Sequence, residues 1–248
     1  MKDARLSVQA FVSSSFFRAA AVLASVWLAG AAEPVTLTGK DLQGWRQTGE
    51  WMIAKAVALD PLDAKKLALT PGAGLYVNGA KGRTINLLTE AEFGDVEAHV
   101  EFCLPKQSNS GVYFMGRYEV QLYDSFGVAK DKYPGIECGG LYPRWTQARG
   151  EFEGHSPRVN ASRPPGAWQS FDVVFRAPRF DAAGKKTANA KFVKVVHNGQ
   201  VIHENVELTG PTRAACFEDE KPAGPIMLQG DHGPVAYRNL RFKPVDLN

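Results

Sequence analysis

From Ser108 to Ser125 the chain reads S-N-S-G-V-Y-F-M-G-R-Y-E-V-Q-L-Y-D-S, and three strong polar groups, Arg117, Glu119 and Gln121, alternate with apolar residues inside it. On an extended backbone that spacing sends them to one side with Tyr113, Met115 and Tyr123, while Val112, Phe114, Tyr118, Val120 and Leu122 face the other. Planar hydrogen-bonding groups among aromatic rings suit a sugar, whose hydroxyls need partners and whose C–H faces need apolar cover. A strand face open only to water rarely holds two tyrosines and a methionine among its charges. Glu119 and Asp124 could be the two carboxyls of glycoside cleavage, which stand ~5 Å apart for retention and ~6.5–9.5 Å apart for inversion. Asp124 lies an odd number of residues from Glu119, so a shared face requires a bulge.

A second chemical candidate lies near the C-terminus. His232 follows Asp231 in Q-G-D-H-G, three residues beyond Gln229, where an imidazole could serve as general acid, general base or metal ligand. Asp95, Glu97, His99 and Glu101 share one strand face, and a histidine between carboxylates could hold a divalent cation. Such an ion is the one cofactor the residues could take. No G-x-G-x-x-G, H-E-x-x-H, G-x-S-x-G or P-loop sequence is present.

The elements that must carry these groups are strands. Period-2 runs separated by Gly, Pro and Asn recur, and no stretch sustains a helical period. The clearest are Phe93 to Leu104, Gly111 to Gly116, Arg117 to Tyr123, Trp168 to Phe175 and Lys191 to His197. Asn198-Gly199 then predicts a tight hairpin into Q-V-I-H-E, and the closing segment reads as two strands around Asp231-His232-Gly233. About a dozen strands favour two packed sheets over one open sheet. The irregular stretch from Val128 to Ala167 is long for a loop and rich in aromatics, including Tyr142 and Trp145, which marks it as a candidate binding loop. A second irregular stretch runs from Thr209 to Pro225. Trp45, Trp51 and Trp168 read as core or rim residues.

Residues 1–32 combine Lys2, Arg5 and Arg18 with the apolar run Ala19 to Ala29 and a small-residue end, the pattern of a secretory signal peptide too short to span a bilayer. The chain is therefore expected to be exported, periplasmic or secreted, with residues 33–248 as a single domain. Without that leader the formal charge of +3 falls to about +1, and the remaining cations are scattered, which argues against nucleic acid. No later segment is apolar enough for a membrane span. Cys103, Cys138 and Cys216 allow one disulfide and leave one thiol over.

Four segments, in order, resemble the 3-keto-disaccharide hydrolase family: G-K-D-L-Q-G-W, N-S-G-V-Y-F-M-G-R-Y-E-V-Q-L-Y-D-S, P-P-G-A-W-Q-S-F-D-V-V-F and I-M-L-Q-G-D-H-G-P-V-A-Y-R-N-L-R-F. The resemblance implies an all-β, concanavalin A-like or laminarinase-like jelly-roll sandwich of two antiparallel sheets. It also implies cleavage of glycosides whose C3 hydroxyl a separate sugar 3-dehydrogenase has already oxidised. On that expectation Glu119 or His232 acts as base or acid, Asp124 and Asp231 are orienting groups, and Tyr113, Arg117, Gln121, Tyr123, Tyr142, Trp145 and Gln229 contact sugar or oxyanion. Ala167 stands where the family commonly has the glutamate of P-x-G-E-W, a change expected to alter substrate or activity. The rival expectation is a non-catalytic carbohydrate-binding protein on the same sandwich.

Overall fold

The alternation between Val112 and Leu122 survives in three dimensions, but as a hairpin rather than one strand. In the computed structural model, which describes residues 33–129 and 137–248, β6 (Asn109–Phe114) turns into β7 (Tyr118–Tyr123). Phe114 pairs with Tyr118, Tyr113 with Glu119 and Gly111 with Gln121. The turn places Met115 at φ 57° and Gly116 at φ 64°, closed by the Arg117 N–H donating to the Phe114 carbonyl at 3.0 Å. Two successive positive φ values give the twist that antiparallel strands need.

Sixteen strands are described, with no helix among the described residues and so none able to cross a membrane. In chain order the others are β1 (Val35–Leu37), β2 (Met52–Leu59), β3 (Leu67–Val77), β4 (Leu87–Phe93), β5 (Val96–Cys103), β8 (Arg144–Thr146), β9 (Gly150–Phe152), β10 (Trp168–Arg176), β11 (Arg179–Phe180), β12 (Lys186–Ala188), β13 (Ala190–His197), β14 (Gln200–Leu208), β15 (Gly224–Leu228) and β16 (Ala236–Pro244). One sheet of eight strands runs β14-β13-β10-β5-β16-β3-β2, with β1 also on β16, and a four-stranded sheet runs β4-β15-β6-β7. All pairings are antiparallel, and β8-β9 and β11-β12 form separate ribbons. The fold is the expected all-β jelly-roll sandwich. Asn198 and Gly199, at φ 49° and 82°, make the expected turn between β13 and β14.

The sheets meet through aromatic rings. Phe114 of β6 lies 5.2 Å from Phe175 and 5.3 Å edge-on from Phe192, and Tyr118 of β7 lies 5.4 Å from Phe175. Each such ring, moved fully out of water, stabilises the fold by roughly 2–3 kcal/mol. This packing fixes which side of the hairpin faces inward, and so aims Tyr113, Glu119 and Gln121 away from the core.

The expected leader, residues 1–32, lies outside the described residues. None of the three cysteines is bonded to another: Cys103 and Cys138 are buried and Cys216 is exposed, each as a free thiol.

Candidate active site

The outer face of β6 and β7 is not open to water. Tyr113, Glu119 and Gln121 are 1 %, 2 % and 4 % exposed, because two distant segments close over the free edge of β7. Gln121 exchanges backbone hydrogen bonds with Gly139 and Gly140 at 2.7 and 2.8 Å, and the Tyr142 N–H donates to the Glu119 carbonyl at 3.2 Å. Further along, the Thr212 hydroxyl accepts from the Glu119 N–H at 3.2 Å and donates to the Arg117 carbonyl at 3.0 Å. Both covering segments belong to the stretches that lack period-2 alternation in the sequence.

Beneath them lies a cavity of about 290 Å³ lined by Asn109, Tyr113, Glu119, Gln121, Tyr142, Arg213, Ala214, Gln229 and His232. Glu119 is its buried carboxyl. Removal from water pushes its pKa up to about 8, with the nearby Asp231 charge adding to the rise and a hydrogen bond from Tyr113 opposing it. Burial, followed by the charge of Glu119, also raises the Tyr113 phenol well above its ordinary range, and raises that of Tyr142. Both phenols therefore remain donors at neutral pH. The Gln229 amide N–H donates weakly to the Tyr113 hydroxyl at 3.4 Å, whereas its buried Oε1 has no partner among the described residues and is left to accept from a guest.

Two small features make the carboxyl's position feasible. Gly111 pairs with Gln121 beside Glu119, and a Cβ on it would stand 2.1 Å from Glu119 Oε1. Gly111→Ala is accordingly expected to lose about 2–3 kcal/mol of stability by overpacking, seen as a lower urea midpoint with unchanged slope. At the rim, Asn78, fully buried, donates to the Gly230 and Gly233 carbonyls at 3.0 and 2.6 Å and accepts from the Val235 N–H at 2.8 Å. That clamp holds the turn carrying Asp231 and His232. The His232 Nδ1 lies 2.6 Å from Asp231 Oδ1, which orients the ring and leaves Nε2 as the nitrogen available to exchange a proton with a guest.

The structure thus brings Tyr113, Glu119, Gln121, Tyr142, Gln229 and His232 together, with Asp231 behind the histidine, and leaves four expected residues outside. Arg117 sits in the hairpin turn, where its guanidinium is bound by the Met115 carbonyl and by the carbonyl and carboxylate of Asp219, with Phe217 stacked 4.6 Å away. It fastens the 209–225 stretch and does not reach the cavity. Asp124 accepts from the Gln107 N–H at 2.9 Å, and Gln107 has φ 61°, so this carboxylate anchors a strained turn. Tyr123 is half-buried at the far end of β7, opposite Asn109. Trp145 is exposed in β8 under Arg213, 5.9 Å from its ring, and lines a neighbouring hollow.

The cation of the cavity is Arg213, which sequence reasoning missed. Its position depends on its N–H donating to the Pro143 carbonyl at 2.8 Å and on Ala214 adopting φ 61°, neither of which leaves a periodic signal. His99, the other candidate ligand, lies on the outer face of the larger sheet, 2.6 Å from Asp172 and 3.6 Å from Glu101. Among the described residues no group of three or more His, Cys, Asp or Glu is arranged to hold a metal ion. Ala167 closes the turn before β10 by donating to the Pro164 carbonyl at 3.0 Å, and it does not line the cavity.

Residues 33–243 match the 3-keto-alpha-glucoside-1,2-lyase-like domain family. No curated protein matches the chain. Two solved structures from Parabacteroides distasonis, both described as candidate glycosyl hydrolases, share the fold. One is 24 % identical with a TM-score of 0.61, covering 86 % of this chain and 84 % of its own. The other is 17 % identical with a TM-score of 0.55, covering 86 % and 100 %.

Proposed function

The chain belongs to the 3-keto-alpha-glucoside-1,2-lyase-like family of carbohydrate-active enzymes, and from that premise we propose that its Glu119 cavity cleaves glycosides already carrying a ketone at C3. The observation that carries the reading is a fully buried carboxyl, pushed up to about 8, in a cavity that also holds a guanidinium, two phenols and a histidine. A ketone at C3 acidifies the C2 proton. A carboxylate of raised basicity is matched to removing it near neutral pH, better than a solvated glutamate would be.

Glu119 takes the C2 proton, and the C–H electron pair moves into an enediolate with its charge on the C3 oxygen. Arg213 and Tyr142 are the donors available to that oxygen. The enediolate then collapses, the bond from C1 to the glycosidic oxygen breaks, and the departing oxygen receives a proton from His232 or from water. Addition of water to the unsaturated product, with a proton returned to C2, completes net hydrolysis. This route needs a single buried base, so Asp124 outside the cavity is consistent with it. The ketone would come from a separate sugar 3-dehydrogenase. The leader pattern at residues 1–32 supports an exported or periplasmic setting for both steps.

The decisive experiment offers the purified protein a disaccharide and its 3-keto form, each with and without chelator. Release of sugar from the keto form alone is expected. Cleavage of the unoxidised form would replace this reading with direct hydrolysis, and binding of either without cleavage would make the protein a carbohydrate-binding module.

A further inference from the structure

A second cavity, about 350 Å³, backs onto the first and shares Gln121 and Tyr142 with it. Its outer wall is Phe152 of β9 and the residues that follow, and its lining carries Glu137, Glu151, Glu153 and His155. The floor is built from backbone pairing: Leu141 and His155 exchange hydrogen bonds at 2.9 and 3.0 Å, and Gly139 and Gly140 are tied to Gln121. One ion pair spans the junction, Arg213 of the first cavity to Glu151 of the second at 2.6 Å. Nothing in the proton abstraction chemistry uses this space.

Ligand sites usually run from roughly 300 to 1,000 Å³, so each cavity alone is at the small end and the pair together suits a two-ring glycoside. With the oxidised ring over Glu119, the bond to its aglycone must leave that cavity. Gln121 and Tyr142 line both that cavity and the second, which is of similar size and richer in hydrogen-bond acceptors than the hollow beside Trp145. We propose that the second cavity is the leaving-group subsite, and that it takes a neutral, hydroxyl-rich sugar. This rests on the keto-glycoside reading of the Glu119 cavity. Phe152 and Tyr142 supply rings for the C–H face of a pyranose, and the carboxylates of Glu137, Glu151 and Glu153, which already accept from Ser156, Arg213 and Thr209, have further lone pairs for its hydroxyls. The cations nearby are already engaged by these groups: Arg213 lies 2.6 Å from Glu151, Arg144 lies 3.6 Å from Glu153, and Arg149 stacks on Phe152 at 3.7 Å. A leaving group bearing its own carboxylate would meet acceptors where it needs donors.

The test compares methyl 3-keto-glucoside, whose leaving group is too small to fill the subsite, with a 3-keto-disaccharide, using wild type, Phe152→Ala and His155→Ala. C2 proton exchange into deuterated water is followed by NMR alongside sugar release. Both variants are expected to lose about tenfold or more in kcat/KM on the disaccharide, the size of a stacking contact, while exchange and turnover of the methyl glycoside stay within about twofold. The wild type is expected to act about tenfold more slowly when the leaving sugar is a uronate. Equal effects on both substrates in both variants, or no effect, overturn the subsite. An equal rate with the uronate overturns the assignment to neutral sugars. Absence of C2 exchange in the wild type overturns the keto-glycoside reading itself, and the subsite falls with it.

Discussion

Glu119→Gln is expected to lower turnover of a 3-keto-glycoside by ~10²–10⁴-fold, the range for loss of a positioned general base, and to abolish C2 proton exchange. Glutamine keeps the shape and the hydrogen bond from Tyr113 but cannot take a proton, so substrate binding should change little and the loss should fall on kcat. Wild-type activity should rise with pH through about 8, because the ionised carboxyl is the active form and burial holds its pKa there. Stability should run in the opposite sense. Between the ordinary carboxyl value of 4.5 and about 8, the folded chain binds a proton that the unfolded chain has lost. Its contribution to stability is therefore complete below about 4.5 and is lost as pH rises to 8. Glu119→Gln escapes that loss and should exceed wild type above pH 8 by on the order of 5 kcal/mol. A variant that is inactive yet more stable at alkaline pH separates catalysis from folding. Full activity in Glu119→Gln would refute the assignment.

Arg117→Ala should act in the opposite way, through stability first. The side chain is almost fully buried, and its removal strands the Met115 carbonyl in the hairpin turn and releases Asp219 and Phe217. Leaving such groups unsatisfied typically costs about 3 kcal/mol, so the thermal midpoint should fall by roughly 6–10 °C at any pH where the fold holds. Residual activity should show a raised KM, since the released stretch is the one that positions Thr212 and Arg213. A variant of unchanged stability whose kcat alone falls would return Arg117 to the catalytic machinery.

The contrast between these residues shows what the sequence could convey. Glu119, Gln121 and Tyr113 were legible because a face rule depends only on parity, and parity is preserved when Phe114 pairs with Tyr118 across the turn. Arg117 obeys the same parity but lies in the turn itself, and its neighbour at 219 is invisible without tertiary structure. Arg213 and Asn78 act through irregular backbone, where no period marks function. The Asn198-Gly199 hairpin was readable because left-handed φ values favour those two residues in succession. β3 was not, since Pro71, Gly72 and Gly74 interrupt its pattern even though it pairs along β2. The jelly-roll architecture emerged from strand number and from the family motifs together, while the burial of the outer hairpin face needed the two covering segments.

Those segments have a further consequence. β7 is the terminal strand of its sheet, and an uncovered terminal strand offers a ladder of free amides and carbonyls to any passing chain. Residues 139–142 and Thr212 occupy that ladder. The same cover that dries the Glu119 carboxyl also denies the strand to self-association. Loosening the cover to admit larger guests would therefore trade substrate range against aggregation, and engineered openings at this rim should be screened for soluble yield as well as for rate.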